Sequence, residues 1–271
     1  MKRRDFIKRA SSASLILLGG RVMNITSSDA DELRKKSTLR FAIASDGHYG
    51  ENGTEFDQHY QTLVKHITSF HQDNKLHFCV INGDIIHDVK DFLIPARNHL
   101  EKLPIKYYVT KGNHDKVSDA YWQEVWGMPV NHEAQVGKNT FLFATTSNEK
   151  GEYLSPDLNW MKIELETHKD QENVFVFIHI PQGKWTKHAI DTPAFFDLLK
   201  QYGNVRGVFH GHEHAEDGVK MRDSIPYMFD SHFGGSWGTS YRGFRVVELL
   251  KGNSFLTYIM NPVEKINQAA F

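Results

Sequence analysis

The sequence predicts an α/β protein, a four-layer α-β-β-α sandwich in which two mixed β-sheets are flanked by helices. Three observations lead there. From Leu39 onward, short apolar, β-prone runs alternate with longer amphipathic segments. Five of those runs stop at clusters of Asp, Asn, Gly and His. The chain of 271 residues can also bury one sizeable core, and it fits one domain rather than several.

The first run, Leu39 to Ala44, stops at Ser45-Asp46-Gly47-His48, and Phe56 to Phe70 then repeats apolar residues at helical spacing. A second run, Leu76 to Ile81, ends at Asn82-Gly83-Asp84. A third, Ile105 to Val109, breaks at Lys111-Gly112-Asn113-His114-Asp115. A fourth, Val174 to Ile178, meets His179-Ile180-Pro181, and a fifth, Val205 to Phe209, enters His210-Gly211-His212-Glu213-His214. Open α/β sheets bind ligands outside the carboxyl ends of their strands, so these clusters are placed to meet. The runs Phe141 to Thr145, Phe244 to Leu250 and Phe255 to Met260 alternate more strongly, which predicts antiparallel strands and hence mixed sheets. There is no internal repeat or low-complexity tract.

Composition narrows the chemistry. Sixteen histidines are present, several beside Asp or Gly, and imidazole is the commonest protein ligand for transition metals. The formal charge is −1 and no Lys/Arg stripe follows the first forty residues, which argues against extended nucleic-acid binding and leaves phosphate capture to a local site. Cys79, the single cysteine, sits in the apolar run from His77 to Ile81; it reads as a buried small hydrophobe, with no disulfide and no thiolate metal chemistry.

Each polar cluster has a bland reading when taken alone. An Asp-Gly pair after a strand is ordinarily a turn, a Gly-Asn-His-Asp run is equally a solvated turn, and a lone histidine such as His179 is usually a satisfied structural residue. His212 and His214, two apart in an extended loop, can both turn toward one centre. In order, the clusters read D-x-H, G-D, G-N-H-D, H-x-P and G-H-x-H, and that joint pattern closely resembles the calcineurin-like metallophosphoesterase family over about residues 39 to 261.

The resemblance implies a pair of divalent or trivalent transition metal ions. Asp46, His48, Asp84 and His214 would hold one, and Asp84, Asn113, His179 and His212 the other, with Asp84 as the bridge. A carboxylate has two oxygens and spans ions about 3.5–4 Å apart, so a metal-bridging hydroxide could attack phosphorus in line. His114 would protonate or hydrogen-bond the leaving oxygen, and Asp115 would orient His114. A nitrogen and oxygen ligand set suits manganese, iron or zinc without choosing among them. Purple acid phosphatases carry a tyrosine three residues after the bridging aspartate and lack a histidine matching His48. Here that tyrosine position is His87, which reads as structural. The site is therefore expected to be closer to bacterial phosphodiesterases, including those acting on cyclic nucleotides. A broad phosphomonoesterase is the alternative, and a non-catalytic scaffold of the same fold is a further one. Loops Gln182 to Asp191 and Gly234 to Arg242 are expected to select the substrate, a small phosphate ester; Trp237, Tyr241 and Arg242 would stack on a base and pair with a phosphate, or else pack the rim.

The chain opens Lys2-Arg3-Arg4-Asp5-Phe6-Ile7-Lys8, followed by a weakly apolar stretch from Ala10 to Gly20 that is short for a membrane span. This is similar to a twin-arginine export signal, with a frayed basic terminus as the competing reading. It implies residues 1–38 as signal peptide and polar linker, 39–271 as the catalytic domain, and the twin-arginine export machinery as a partner. The expected location is the periplasm, membrane-tethered if the signal is retained. No clear small-x-small cleavage site precedes the polar run from Ser27 to Lys36. Without residues 1–38, nine Lys/Arg and four Asp/Glu are lost and the charge falls from −1 to −6.

Overall fold

The computed structural model describes residues 14–18, 21–25, 32–251, 254–261 and 264–270. From the amino end, the strands are β1 (Ser14–Leu18), β2 (Arg21–Ile25), β3 (Ser37–Ala44), β4 (Phe78–Asn82) and β5 (Tyr107–Thr110). Next come β6 (His132–Val136), β7 (Asn139–Ala144), β8 (Asn173–Ile178), β9 (Val205–His210), β10 (Val219–Arg222) and β11 (Ile225–Phe229). The last three are β12 (Phe244–Leu250), β13 (Phe255–Asn261) and β14 (Glu264–Ala270). Between them run helices α1 (Phe56–Asp73), α2 (Leu93–Leu100), α3 (Asp119–Trp126), α4 (Leu158–Thr167) and α5 (Pro193–Leu199). Arg3 and Arg4, on which the export reading turns, lie outside the described residues. Among the described residues, no helix is long and apolar enough to cross a membrane.

The strands form one sheet of eight, ordered β2-β1-β14-β13-β12-β3-β4-β5, and one of six, ordered β10-β11-β9-β8-β7-β6. Both are mixed. In the larger sheet β3, β4 and β5 run parallel, with Phe41 opposite Phe78 and Cys79 opposite Tyr107, while β12 is antiparallel to both β3 and β13. In the smaller, β7, β8, β9 and β11 are parallel and the edge strands β6 and β10 antiparallel. The antiparallel expectation thus holds for β12 and β13 and only on one side of β7, which pairs antiparallel with β6 but parallel with β8. Alternation misled there because it reports how side chains are divided between two faces, and both faces of β7 are covered.

The period of two explains the layering. Phe41, Ile43, Phe78, Phe141, Phe143, Phe175, Phe177, Phe209 and Val247 point between the sheets and form the central core. Its rings interlock: Phe41 stacks on Phe78 with centroids 4.9 Å apart, and Phe177 on Phe209 at 4.9 Å. The alternate residues Ala42, Ala44, Cys79, Ile81 and Val109 face outward against Tyr60, Leu63 and Ile67 of α1, Leu93 and Ala96 of α2 and Trp122 of α3. On the far side, Leu142, Val176 and Val208 meet Met161 and Leu165 of α4 and Phe195, Phe196 and Leu199 of α5. The result is the four-layer α-β-β-α sandwich, in which the parallel strands are apolar on both faces. Its consequence for function is directional. The carboxyl ends of β3, β4 and β5 from one sheet and of β8 and β9 from the other open on the same edge of the sandwich, and the five polar clusters follow them.

Candidate metal centre

The loops after β3 and β4 continue to pair beyond their strands. Asp46 N donates to Gly83 O at 3.1 Å, His48 N to Asp84 O at 2.9 Å, and Tyr49 N to Ile85 O at 2.9 Å. The backbone pays for this aim. Asp46, His48, Asp84 and His212 all hold positive φ, at 59°, 44°, 50° and 69°, a region that non-glycine residues enter rarely and that clusters at functional sites. Two glycines make room for the convergence. A Cβ at Gly112 would collide with the backbone N and carboxylate of Asp84, and one at Gly211 with Ser45 Oγ.

Two clusters result. Asp46, His48 and His214 form the first, and Asp84, His179 and His212 the second, with the ligand atoms of each set within 4.8 Å of one another. In the first, His48 Nε2 and His214 Nε2 face each other at 3.0 Å, and Asp46 Oδ1 lies 3.1 Å from His214 Nε2. Asp84 joins them: its Oδ2 is 3.7 Å from His48 Nε2 and 3.1 Å from His179 Nε2, while its Oδ1 accepts from His114 N at 2.8 Å. The structure therefore brings six of the seven sequence-selected residues, Asp46, His48, Asp84, His179, His212 and His214, into adjoining sets with Asp84 between them, and Asn113 directly precedes His114, whose N is held by Asp84.

Asn113 Oδ1, His179 Nε2 and His212 Nε2 are buried without a hydrogen-bond partner, and such orphaned atoms at a convergence of carboxylates suit a bound cation. The outer ring nitrogens are already engaged. His179 Nδ1 donates to Asn82 O at 2.7 Å and His214 Nδ1 to Trp237 O at 3.1 Å, so each Nε2 lone pair faces the centre. His48 Nδ1 lies 3.0 Å from His87 Nδ1, which gives His87 the same orienting place for His48.

The electrostatics agree. Burial would raise the Asp46 carboxyl, but His214 and His179 draw it down to about 2, and against the same burial His179 and His48 hold Asp84 well below the usual range. Burial lowers His48 to about 3 and His212 to about 4, keeping both imidazoles neutral as ligands must be, whereas Asp84 and Asp46 overcome burial to raise His179 to about 10. Two ionised carboxylates beside the neutral His48 and His212 in a buried site attract cations, and a bound cation would displace the proton that the two carboxylates hold on His179.

One expected pair does not form. Asp115 does not reach His114: its Oδ1 accepts from Ile86 N at 2.9 Å and its Oδ2 from Gly112 N at 2.8 Å. Both carboxylate oxygens are taken up by backbone amides, one in its own turn and one in the turn after β4. His114 Nδ1 is paired instead with Asp88 Oδ1 at 2.9 Å, and Lys116 Nζ meets the same oxygen at 2.9 Å. Asp88 was missed because nothing in its spacing marks it; it arrives through space, tied by Asp88 N to His114 O at 2.9 Å. The expected phosphate contacts of the second loop are also redirected. Arg242 donates to Gly235 O at 2.7 Å and Tyr241 OH to Asp217, so both brace the loop, and Trp237 alone reaches the centre. Gln182, at the head of the other loop, turns inward to Ile180 O and Leu154 O.

Two mixed sheets opening on two adjoining clusters of metal-capable side chains, with Asp84 between them, suit a metal-dependent hydrolase. The family model for calcineurin-like phosphoesterases matches residues 39–216, and the chain belongs to that family; it is a metal-dependent phosphoesterase. Among curated protein sequences, none matches. Solved structures share the fold at low identity. A dimetal phosphatase from Danio rerio superposes with a TM-score of 0.69 at 13% identity, over 85% of this chain and 98% of that one. A purple acid phosphatase from yellow lupin (Lupinus luteus) seeds gives 0.62 at 11%, over 86% of this chain and 53% of that one. GAP50, the anchor in the inner membrane complex of Plasmodium, gives 0.60 at 16%, over 86% and 89%.

Proposed function

We propose that the chain is a phosphodiesterase acting on a small diester, cyclic nucleotides among the candidates. The observation that carries this reading is the placement of His114. Its backbone N holds Asp84 Oδ1, its Nδ1 is held by Asp88, and its ring lies 4.8 Å from the ring of His48. Nε2 is thereby left, in the doubly protonated ring, to give its proton to the departing oxygen, while Asp88 accepts from Nδ1–H and keeps that proton on the neutral ring left behind. A pair of cations held by Asp46, His48, His214, Asp84, Asn113, His179 and His212 would supply a water of lowered pKa and neutralise the phosphate oxygens. The residues around them bind, orient and shed protons; no side chain is needed as a covalent nucleophile.

Charge favours the diester. Arg242 of the second loop is turned onto Gly235 O, so among the described residues of that loop no guanidinium is turned toward a second phosphate charge, and a singly charged diester fits this better than a dianionic monoester. The likeness in fold to the Danio rerio dimetal phosphatase and the lupin purple acid phosphatase supports the second reading, a phosphomonoesterase. Hydrolysis of bis(p-nitrophenyl) phosphate against p-nitrophenyl phosphate, after chelation and readdition of manganese, iron or zinc, separates them. Diester turnover restored by metal and abolished in Asp84→Ala and His114→Ala is the expected result; preferential monoester turnover would refute the diesterase reading. We also propose export by the twin-arginine machinery to the periplasm, supported by Arg3-Arg4 and the apolar stretch that follows. Substituting both arginines by lysine should leave the protein in the cytoplasmic fraction, and unchanged fractionation would count against export.

A further inference from the structure

Among the described residues, the large apolar side chains that stand exposed include two aromatics, Trp237 at 46% and Tyr153 at 39%. Single exposed apolar residues are ordinary on any surface. These two are not scattered, because each is seated on a histidine of a different ligand cluster. The Trp237 indole stacks on His214 at 4.3 Å and 7°, and lies 5.0 Å from His48. The Tyr153 ring meets His212 edge-on at 4.9 Å and 88°. Asp84 stands between the two clusters, so one ring flanks the centre on each side.

Both rings are held. Ser236 Oγ donates to Glu51, Arg242 to Gly235 O and Thr239 N to His214 O, which pins the chain before and after Trp237. Tyr153 bridges to Ser147, and Leu154 N donates to Thr146 O at 2.8 Å. A fixed ring with an open face binds a planar group without first losing its own freedom.

Resting on the phosphodiesterase reading above, we infer that Trp237 and Tyr153 form a two-sided aromatic rest for the organic groups of the ester, selecting substrates that carry planar rings such as nucleobases or aryl groups. Trp237 and His114 both lie against His48, so in an open diester Trp237 receives the departing group and Tyr153 the group that stays on phosphorus. Base-aromatic stacking is worth about 1–3 kcal/mol per base, so loss of one ring should cost about tenfold.

Calorimetric binding to the manganese-loaded full chain tests this apart from catalysis. Adenosine monophosphate should bind about tenfold more tightly than ribose 5-phosphate; Trp237→Ala should erase that preference and Trp237→Phe restore most of it, with metal content measured alongside. A structural role for the ring would weaken both ligands equally. In turnover, Tyr153→Ala should lower kcat/KM for bis(p-nitrophenyl) phosphate about tenfold relative to methyl p-nitrophenyl phosphate, which lacks the second ring. Equal binding of the two ligands by the parent chain, or a preference that survives both alanine substitutions, overturns the inference. A ring-dependent preference in a protein that turns over no ester would leave the aromatic rest standing and remove the phosphodiesterase reading.

Discussion

At the scale of single residues, two acidic side chains near His114 are assigned different work by their contacts. Asp88 accepts from the ring and Asp115 from two backbone amides, so the same conservative change should fail in different ways. Asp88→Asn should lower kcat by about 10²-fold or more, the scale of a general-acid contribution, with the greatest loss on esters of poorly departing alcohols. Asp115→Asn should lower stability and metal content first. Its carboxyl is raised to about 7, by burial and then by Asp84, and its two accepted N–H bonds join the turns after β4 and β5. Rate profiles across leaving groups together with metal analysis check this; a leaving-group effect confined to Asp115→Asn would reverse the assignment.

At the scale of one element, the edge strand β6 carries a pH dependence that is separate from the metal centre. His132 Nδ1 donates to Pro129 O at 2.9 Å, its ring stacks on Phe143 at 4.7 Å, and its Nε2 is buried without a partner. Burial lowers it from 6.5 to about 4, with the Pro129 bond opposing. The unfolded chain therefore takes up a proton near pH 6.5 that the folded strand refuses until near pH 4. Stability from this group is complete above pH 6.5 and is lost as pH falls toward 4. His132→Phe should flatten the decline of Tm between pH 7 and 4.5 compared with the parent chain; parallel curves would show that the ring titrates without consequence.

For the whole molecule, the two sheets are joined by a buried ion pair as well as by the phenylalanine layer. Arg245 of β12 reaches across to Asp230, just beyond β11, at 2.9 Å, and also donates to Phe229 O and Thr257 Oγ1. Asp230 in turn accepts from Asn82 Nδ2 at 3.2 Å, and Asn82 O holds His179 Nδ1. Removing one partner leaves the other charge buried, which costs about 3–5 kcal/mol. Arg245→Ala should show that loss in denaturant unfolding and should also weaken metal retention through Asn82 and His179. An unfolding free energy within about 0.5 kcal/mol of the parent, the usual range for surface substitutions, would deny the pair its place between the sheets.

The amino-acid sequence by itself determined the α/β class, the order of the strands that matter, and the six carboxylate and imidazole side chains that converge at their ends. Those were legible because a buried strand is a local apolar run and each ligand follows its end within a few residues, as Asp46 and His48 follow β3 and His179 follows β8. Only the tertiary structure decided what stands behind and around the ligands. Asp88 replaced Asp115 beside His114, His87 took the far nitrogen of His48, and the Trp237 carbonyl took that of His214. Tyr153, 59 residues before His212 in number, came to rest on its ring. These contacts join residues that no periodicity links. They depend on where two sheets, packed by the Phe41–Phe209 layer, set their loops against one another, and a side chain's choice among nearby partners is settled by that packing rather than by its own neighbours in the chain.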